Sequence, residues 1–260
     1  MPFLSSISIY PVKSLEPALL QQVRVLRSGA LEGDRRFGLF DSEGKFVNGK
    51  RHAKIHSLRS KFDPLTGDLH LGRGETGLTA SFHIEHQREK ISAWLTEFFG
   101  FPVSLRCNGE VGFPDDLDCP GPTLISTATL AEVASWFPPL DVQQMRQRFR
   151  ANLEIADCPA FWEDHLYGVK GSLVRFRIGD CLFDGNNPCQ RCVVPPRDPA
   201  TGEGFPNFSK TFRDQRQKTL PPWAEKSRFD HYYRLAVNTK VPAEQSGKTV
   251  YVGDRVEILV

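Results

Sequence analysis

Two cysteines three positions apart are the residues in this chain best suited to chemistry. Cys189 and Cys192 flank Gln190 and Arg191 and are followed by Val193-Val194-Pro195-Pro196-Arg197-Asp198-Pro199-Ala200-Thr201-Gly202. A C-x-x-C pair has several uses. Structural zinc needs four ligands, but no second C-x-x-C exists and His83 and His86 lack the spacing to complete a site. A thioredoxin-type pair opens a helix that lowers one thiol's pKa, whereas Pro195-Pro196 blocks a helix shortly after the pair. An iron–sulfur cluster takes four cysteines in recognisable spacing, which Cys181 plus the pair does not provide. Zinc and a redox pair are thus weakly supported, and two buried thiols in a loop or a thiolate site fit better. Arg191 between the thiols favours the second reading, because a guanidinium stabilises thiolate, the form that binds metal. The proline- and glycine-rich flank describes a rigid exposed loop, where sites tend to lie. Cys107, Cys119, Cys158 and Cys181 read as buried thiols.

The remainder of the chain must position this pair. Its 260 residues suffice for one large domain or two small ones. Apolar residues make up 40% and charged residues 25%, the mix of a globular protein. A net charge of +2 and the lack of a long basic run argue against nucleic acid and anionic membrane as partners. The first residues lack a basic segment leading into a long apolar one, so no secretory signal is expected. No apolar stretch reaches the roughly 18 residues of a membrane span. The cysteines are then expected to be reduced, in a cytoplasmic protein.

Alternation of apolar and polar residues predicts strands at Ile7 to Val12, Gln22 to Leu26 and Arg36 to Phe40, and a hairpin from Leu69 to Ile84. Gly72 to Gly77 spells G-x-G-x-x-G. A dinucleotide site needs a helix to start there, and the following residues alternate as a strand, so the motif reads as a turn. Ile91, Trp94, Leu95 and Phe98 at helical spacing before Gly100 predict a first helix. A strand from Val103 to Arg106 follows, then a Pro/Gly/Asp stretch from Gly112 to Pro122 that suits a domain boundary or an active-site loop. Leu130, Val133, Ala134 and Phe137 predict a second helix capped by Ser126, Thr127 or Thr129, and Val142 to Arg148 a short third. Strands dominate afterwards, at Leu153 to Ile155, Ser172 to Phe183, Tyr233 to Val237 and Thr249 to Val260. The class is α+β with a barrel-like β core, rather than βαβ repeats.

Four stations along the chain carry a family resemblance. Cys189-Gln190-Arg191-Cys192 followed by Asp198-Pro199-Ala200-Thr201-Gly202 resembles the signature of MOSC domains. Ile9-Tyr10-Pro11-Val12-Lys13-Ser14 with Gly33-Asp34-Arg35-Arg36-Phe37 resembles the β-barrel domain that precedes MOSC. Arg148-Phe149-Arg150-Ala151-Asn152-Leu153 and the terminal Val252-Gly253-Asp254-Arg255-Val256 match in the same order. The pattern is similar to YcbX-type proteins and the amidoxime-reducing components. It implies an N-terminal MOSC-type β-barrel domain over 1–112 and a MOSC domain over 113–260, strand-rich with a few helices.

The resemblance further implies a molybdenum cofactor, Mo-molybdopterin, with Cys192 as the protein's thiolate ligand to the metal and its catalytic residue. Thiolate is a soft ligand suited to such a metal. The cofactor's phosphate calls for cations and donors, for which the matching positions are Lys13, Ser14, Arg36, Arg150, Asn152 and Arg191. Ser126, Thr127 and Asp118 are weaker additions. Asp198 and Thr201 are read as turn formers. The implied activity is reduction of N-hydroxylated or N-oxygenated compounds, with the cofactor performing the redox step and the protein orienting it. The four-cysteine spacing of a ferredoxin domain is missing from these residues, so electrons are expected from a separate ferredoxin- or cytochrome-type protein with its reductase. Two alternatives use the same thiolate loop: a carrier of persulfide sulfur or of the cofactor on Cys192, and a binding module without turnover.

Overall fold

A computed structural model describes every residue except Glu75, Thr76 and Val260. The first part of the chain forms β1 (Phe3–Ile9), β2 (Ala18–Leu20), β3 (Gln22–Arg24), β4 (Phe37–Phe40), β5 (Leu58–Phe62), β6 (Asp68–Arg73), β7 (Leu78–His83), α1 (Arg88–Phe99) and β8 (Ser104–Cys107). After the Pro/Gly/Asp stretch come β9 (Thr123–Ser126), α2 (Thr127–Ser135), α3 (Val142–Phe149), β10 (Leu153–Ala156), β11 (Val174–Ile178) and β12 (Cys181–Gln190). The chain finishes with α4 (Phe208–Lys218), β13 (Arg234–Lys240), β14 (Thr249–Tyr251) and β15 (Val256–Ile258). The fold is α+β and strand-rich.

The main sheet runs β15-β11-β12-β13-β9-β10-β1-β2. It curls back on itself, because the start of β1 also meets the turn before β15. Leu4 N donates to Asp254 O at 2.8 Å and Val256 N to Pro2 O at 2.9 Å. This contact covers the β15 side of the sheet, while β2 remains its other end. A register shift between Leu4 and Ser6 lets β1 serve both neighbours. The interior is filled by Leu4, Ile7, Ile155, Phe176, Phe183 and Val237, all essentially inaccessible. Strands from both ends of the sequence therefore share one core.

A second core lies under β4–β8, the three-stranded sheet β5-β6-β7 and α1, with Leu39, Leu71, Ile91 and Leu95 at its centre. The helix α1 ends as the sequence requires, with Gly100 at φ +82° and its N–H returned to Thr96 O. Leu78 resumes a strand immediately after the glycine motif. Residues 75 and 76 of the motif fall outside the described residues. A third core packs α2, α3 and α4 through Leu130, Val133, Phe149, Phe208 and Phe212. Ser126 caps α2, accepting from Thr129 N at 3.0 Å.

Three sequence expectations are corrected. The strand expected from Ser172 to Phe183 is two strands that break at Gly179-Asp180, and the second continues to Gln190. Its register against β13 shifts at Gly185/Asn187 and again at Pro188/Gln190, which is how a proline is tolerated inside a ladder. Cys189 thus lies near the end of a strand rather than in a loop. The terminal strand expected from Thr249 onward is also two short ones, β14 and β15, and Val260 is outside the described residues. Helix α4 had no apolar signature, because its inward stripe is Phe208, Phe212 and Arg216.

Arg216 is fully buried, paired with Asp164, and stacked 4.2 Å from the Phe161 ring centroid. Removing one partner of such a pair strands the other. Arg216→Met is expected to cost about 3 kcal/mol in urea unfolding; a loss within error of zero would show the pair to be dispensable. Beside it, Glu163 is 1% exposed, held by Thr129 Oγ1 at 3.0 Å. Burial, aided by Asp164, pushes its carboxyl up to about 7. A raised carboxyl favours the folded state at low pH and loses that contribution as pH rises through the folded value. Glu163→Gln should therefore gain stability relative to wild type from about pH 5 to about pH 8. A difference constant across that window would refute the assignment.

Candidate functional site

One cleft of about 590 Å³ takes residues from both halves of the chain, within the size range of small-molecule sites. Lys13, Ser14, Arg150, Asn152, Arg191 and Cys192 all line it. Arg36 does not. Its neighbour Arg35 adopts φ +48° and turns into the cleft, so Arg36 faces the other way and pairs with Glu85 at 2.7 Å. Ser126 is the buried cap of α2, and neither Thr127 nor Asp118 reaches the cleft wall.

Backbone geometry is unusual here. Ser14, Arg35 and Arg150 have φ of +73°, +48° and +53°, a region that costs a non-glycine residue about 1 kcal/mol or more. Such conformations persist only where surrounding contacts impose them. In α3 the cause is visible: Arg150 is the left-handed residue ending the helix, its N–H bonded to Arg146 O. That turn sends the Arg150 side chain over the Tyr10 ring, 4.1 Å from its centroid, with Nη2 donating to Leu15 O at 2.5 Å.

Seven cationic side chains line the cleft against three carboxylates, so positive charge is concentrated there on a chain that is nearly neutral overall. Lys13 is already committed. Its Nζ donates to Phe113 O at 2.8 Å and Pro114 O at 3.2 Å and pairs with Asp115 at 3.0 Å. Burial draws the amine down, and Asp115 opposes this. Burial would also raise Asp115, but Lys13, Arg35 and Lys50 outweigh it and hold the carboxyl well below the usual range. Lys13 therefore straps the Pro/Gly/Asp stretch onto the barrel as one wall of the cleft. Asn152 is equally engaged: Oδ1 accepts from Thr123 N at 3.2 Å and Nδ2 donates to Ser8 O at 3.0 Å.

Arg150 and Arg191 differ from Lys13 in having no carboxylate partner among the described residues. Burial draws Arg150 below its ordinary value, partly offset by Tyr10 and reinforced by Arg35; an anion in the cleft would relieve that cost. Arg191 Nη2 donates to Phe149 O at 2.6 Å and Nη1 to Cys189 Sγ at 3.2 Å, while its buried Nε has no partner among the described residues. The guanidinium between the thiols thus engages Cys189. Nothing among the described residues hydrogen-bonds to Cys192 Sγ, which is partly exposed. Of the two thiols, Cys192 is the one available as a donor to something outside the protein. Three or more grouped metal-binding side chains of the His, Cys, Asp or Glu type are absent among the described residues.

Arg148 adds to the lining, and Asp198 and His56 lie behind it. Arg148, buried in the last turn of α3, reaches the loop after Cys192. Asp198 shapes that loop, its Oδ1 accepting from Ala200 N at 2.9 Å and Thr201 N at 3.0 Å. His56 lies behind Gly49; burial, with Arg197, Arg150 and Arg59 nearby, pulls it down to about 4, so it adds no charge at neutral pH.

Residues 1–111 match the family model of the MOSC N-terminal beta barrel domain, and residues 122–257 match that of the MOSC domain. The chain belongs to the MOSC family. It is similar to mitochondrial amidoxime-reducing component 1 of Danio rerio, 25% identical over 254 residues that cover 82% of this chain and 76% of that protein. It is also similar to molybdenum cofactor sulfurase of Caenorhabditis briggsae, 34% identical over 79 residues, 30% of this chain and 10% of that protein. The C. elegans sulfurase matches at 29% over 97 residues, so the chain spans only 10% to 13% of these sulfurases' length. The YuaD protein of Bacillus subtilis aligns over 99% of this chain and 96% of its own at 10% identity and a TM-score of 0.42. No described helix of this MOSC protein is long and apolar enough to cross a membrane.

The strap gives a test. Lys13→Met removes the Nζ contacts to Phe113 O, Pro114 O and Asp115, leaving Lys50 on Asp115 at 3.3 Å and Phe113 N on Arg35 O. Amide exchange across 111–121 is expected to accelerate about tenfold, with the barrel core unchanged. Unaltered exchange in that stretch would mean the wall stands without Lys13.

Proposed function

We propose that this protein is a molybdenum-cofactor oxidoreductase that reduces N-hydroxylated or N-oxygenated compounds, with Cys192 as the thiolate that holds the metal. The observation that carries the reading is the joint presence in one cleft of a thiol without a hydrogen bond and two half-buried guanidiniums without carboxylate partners among the described residues. That donor set suits a group that is metal at one end and phosphate at the other. A soft sulfur donor fits the metal, and planar guanidiniums fit phosphate. Membership of the MOSC family supports the same reading.

In this reading Arg150 and Arg191 bind the phosphate and Ser14 adds a hydroxyl. Lys13 and Asn152 act on the cleft by holding its walls, through the contacts they already make. Arg36 is outside the cleft and is replaced in the set by Arg35. A bound cofactor would supply the redox chemistry: two electrons and two protons cleave the N–O bond, giving the deoxygenated nitrogen compound and water. The electrons come from a separate ferredoxin- or cytochrome-type donor with its reductase. The walls of the cleft keep the small substrate beside the thiolate and limit the water around it.

A second reading keeps the thiolate and drops the turnover. Cys192, unengaged and partly exposed, also suits a carrier of persulfide sulfur or of the cofactor itself. Turnover separates the two. Protein loaded with cofactor and supplied with a reduced viologen should convert a hydroxylamine or amidoxime to its reduced product, and Cys192→Ala should lose about a hundredfold or more of that rate. Loaded protein that reduces none of these compounds would exclude the reductase and leave the carrier.

A further inference from the structure

We infer that Arg148 is the positioning residue for Cys192, and that it acts by clamping the loop after the thiol to the same helical turn that holds the residue before it. The inference rests on the reading of Cys192 as the functional thiolate.

The last turn of α3 reaches both sides of Cys192. On the near side, Phe149 O accepts from Arg191 Nη2 at 2.6 Å, and the Arg191 guanidinium lies over the Phe149 ring, 5.2 Å from its centroid. On the far side, Arg148 Nη1 donates to Pro195 O at 2.9 Å and to Arg197 O at 2.7 Å, and Nη2 lies 3.7 Å from Asp198 Oδ2. Cys192, Val193 and Val194 are the whole span between these two anchors. Arg148 is 3% exposed and packed over Phe208, the first residue of α4. Its own position is therefore fixed by the third core.

A loop carrying Pro195 and Pro196 offers few backbone donors of its own. Its carbonyls must be met from elsewhere, and a guanidinium supplies several donors in a fixed fork. The geometry uses that fork for main chain rather than for ligand. More distant ties complete the loop: Arg197 Nη1 donates to Gly49 O at 2.6 Å and Arg59 Nη2 to Pro199 O at 3.0 Å. Those ties bind it to the other side of the cleft. Arg148 is the tie nearest the thiol on its C-terminal side. Groups that orient a metal ligand without touching the metal commonly change metal affinity by about tenfold or more when removed.

The test uses two variants and two readouts. Arg148→Gln removes the clamp outright. Asp198→Asn keeps the oxygen that forms the turn and removes only the charge facing Arg148, so it serves if the buried substitution fails to fold. The first readout needs no cofactor. Protein from a cofactor-deficient host is alkylated with iodoacetamide, and the rate at Cys192 is divided by the rate at Cys189 in the same molecules, both located by mass spectrometry. Freed from its clamp, the loop should raise this ratio about threefold or more. The second readout is molybdenum per chain in protein from a competent host, expected to fall about tenfold in Arg148→Gln and less in Asp198→Asn. A ratio and a metal content both equal to wild type in every variant that folds would overturn the inference. A changed ratio with no molybdenum in wild type would instead support the clamp while removing the molybdenum reading.

Discussion

A guanidinium cannot give up its proton to escape burial, and this chain buries or half-buries several of them around one cleft. Each must find acceptors in the low-dielectric interior or lose its place there. The acceptors are mostly main-chain carbonyls rather than carboxylates. Arg148 takes Pro195 and Arg197, Arg150 takes Leu15, and Arg191 takes Phe149. Aromatic faces at Tyr10, Phe149 and Phe208 cover the same groups. Carbonyls and rings stabilise the charges without neutralising them. The cleft consequently remains cationic, and it is anchored to the barrel and to the helical core at once.

That arrangement explains why the thiol pair is asymmetric. Arg191 lies between the two cysteines in sequence, and its carbonyl contact to Phe149 orients one nitrogen onto Cys189. Both thiols line the cleft, and Cys192 is the one left without a hydrogen bond among the described residues. The division of labour follows from where α3 ends. The left-handed backbone at Arg150 stops the helix and turns the next residues toward β10, so Arg148, Phe149 and Arg150 project to different walls of one cavity.

Much of this was legible in the residues. The first helix and its glycine stop, the Ser126 cap and the Asx turn at Asp198 each depend on local chemistry, and each is found where that chemistry puts it. Helix α4 was not legible, because an arginine paired with a buried aspartate occupies an inward position that periodicity expects to be apolar. The end of β12 was obscured by Pro188, which fits only because the register shifts beside it. At the site, Arg35 and Arg36 are indistinguishable by type, and only the positive φ at Arg35 decides which one enters the cleft. Lys13 and Asn152 were recognisable as residues of the cleft but not as its fasteners, since that depends on partners 29 to 144 positions away.

The central claim is that this cleft holds molybdenum through Cys192. Its most direct test is the metal content of wild type, Cys192→Ala and Cys189→Ala, each purified from a host that makes the cofactor. The account predicts near-stoichiometric molybdenum in wild type, most of it kept in Cys189→Ala and nearly all of it lost in Cys192→Ala. Molybdenum retained in Cys192→Ala, or missing from wild type while a control enzyme from the same host is loaded, would contradict it.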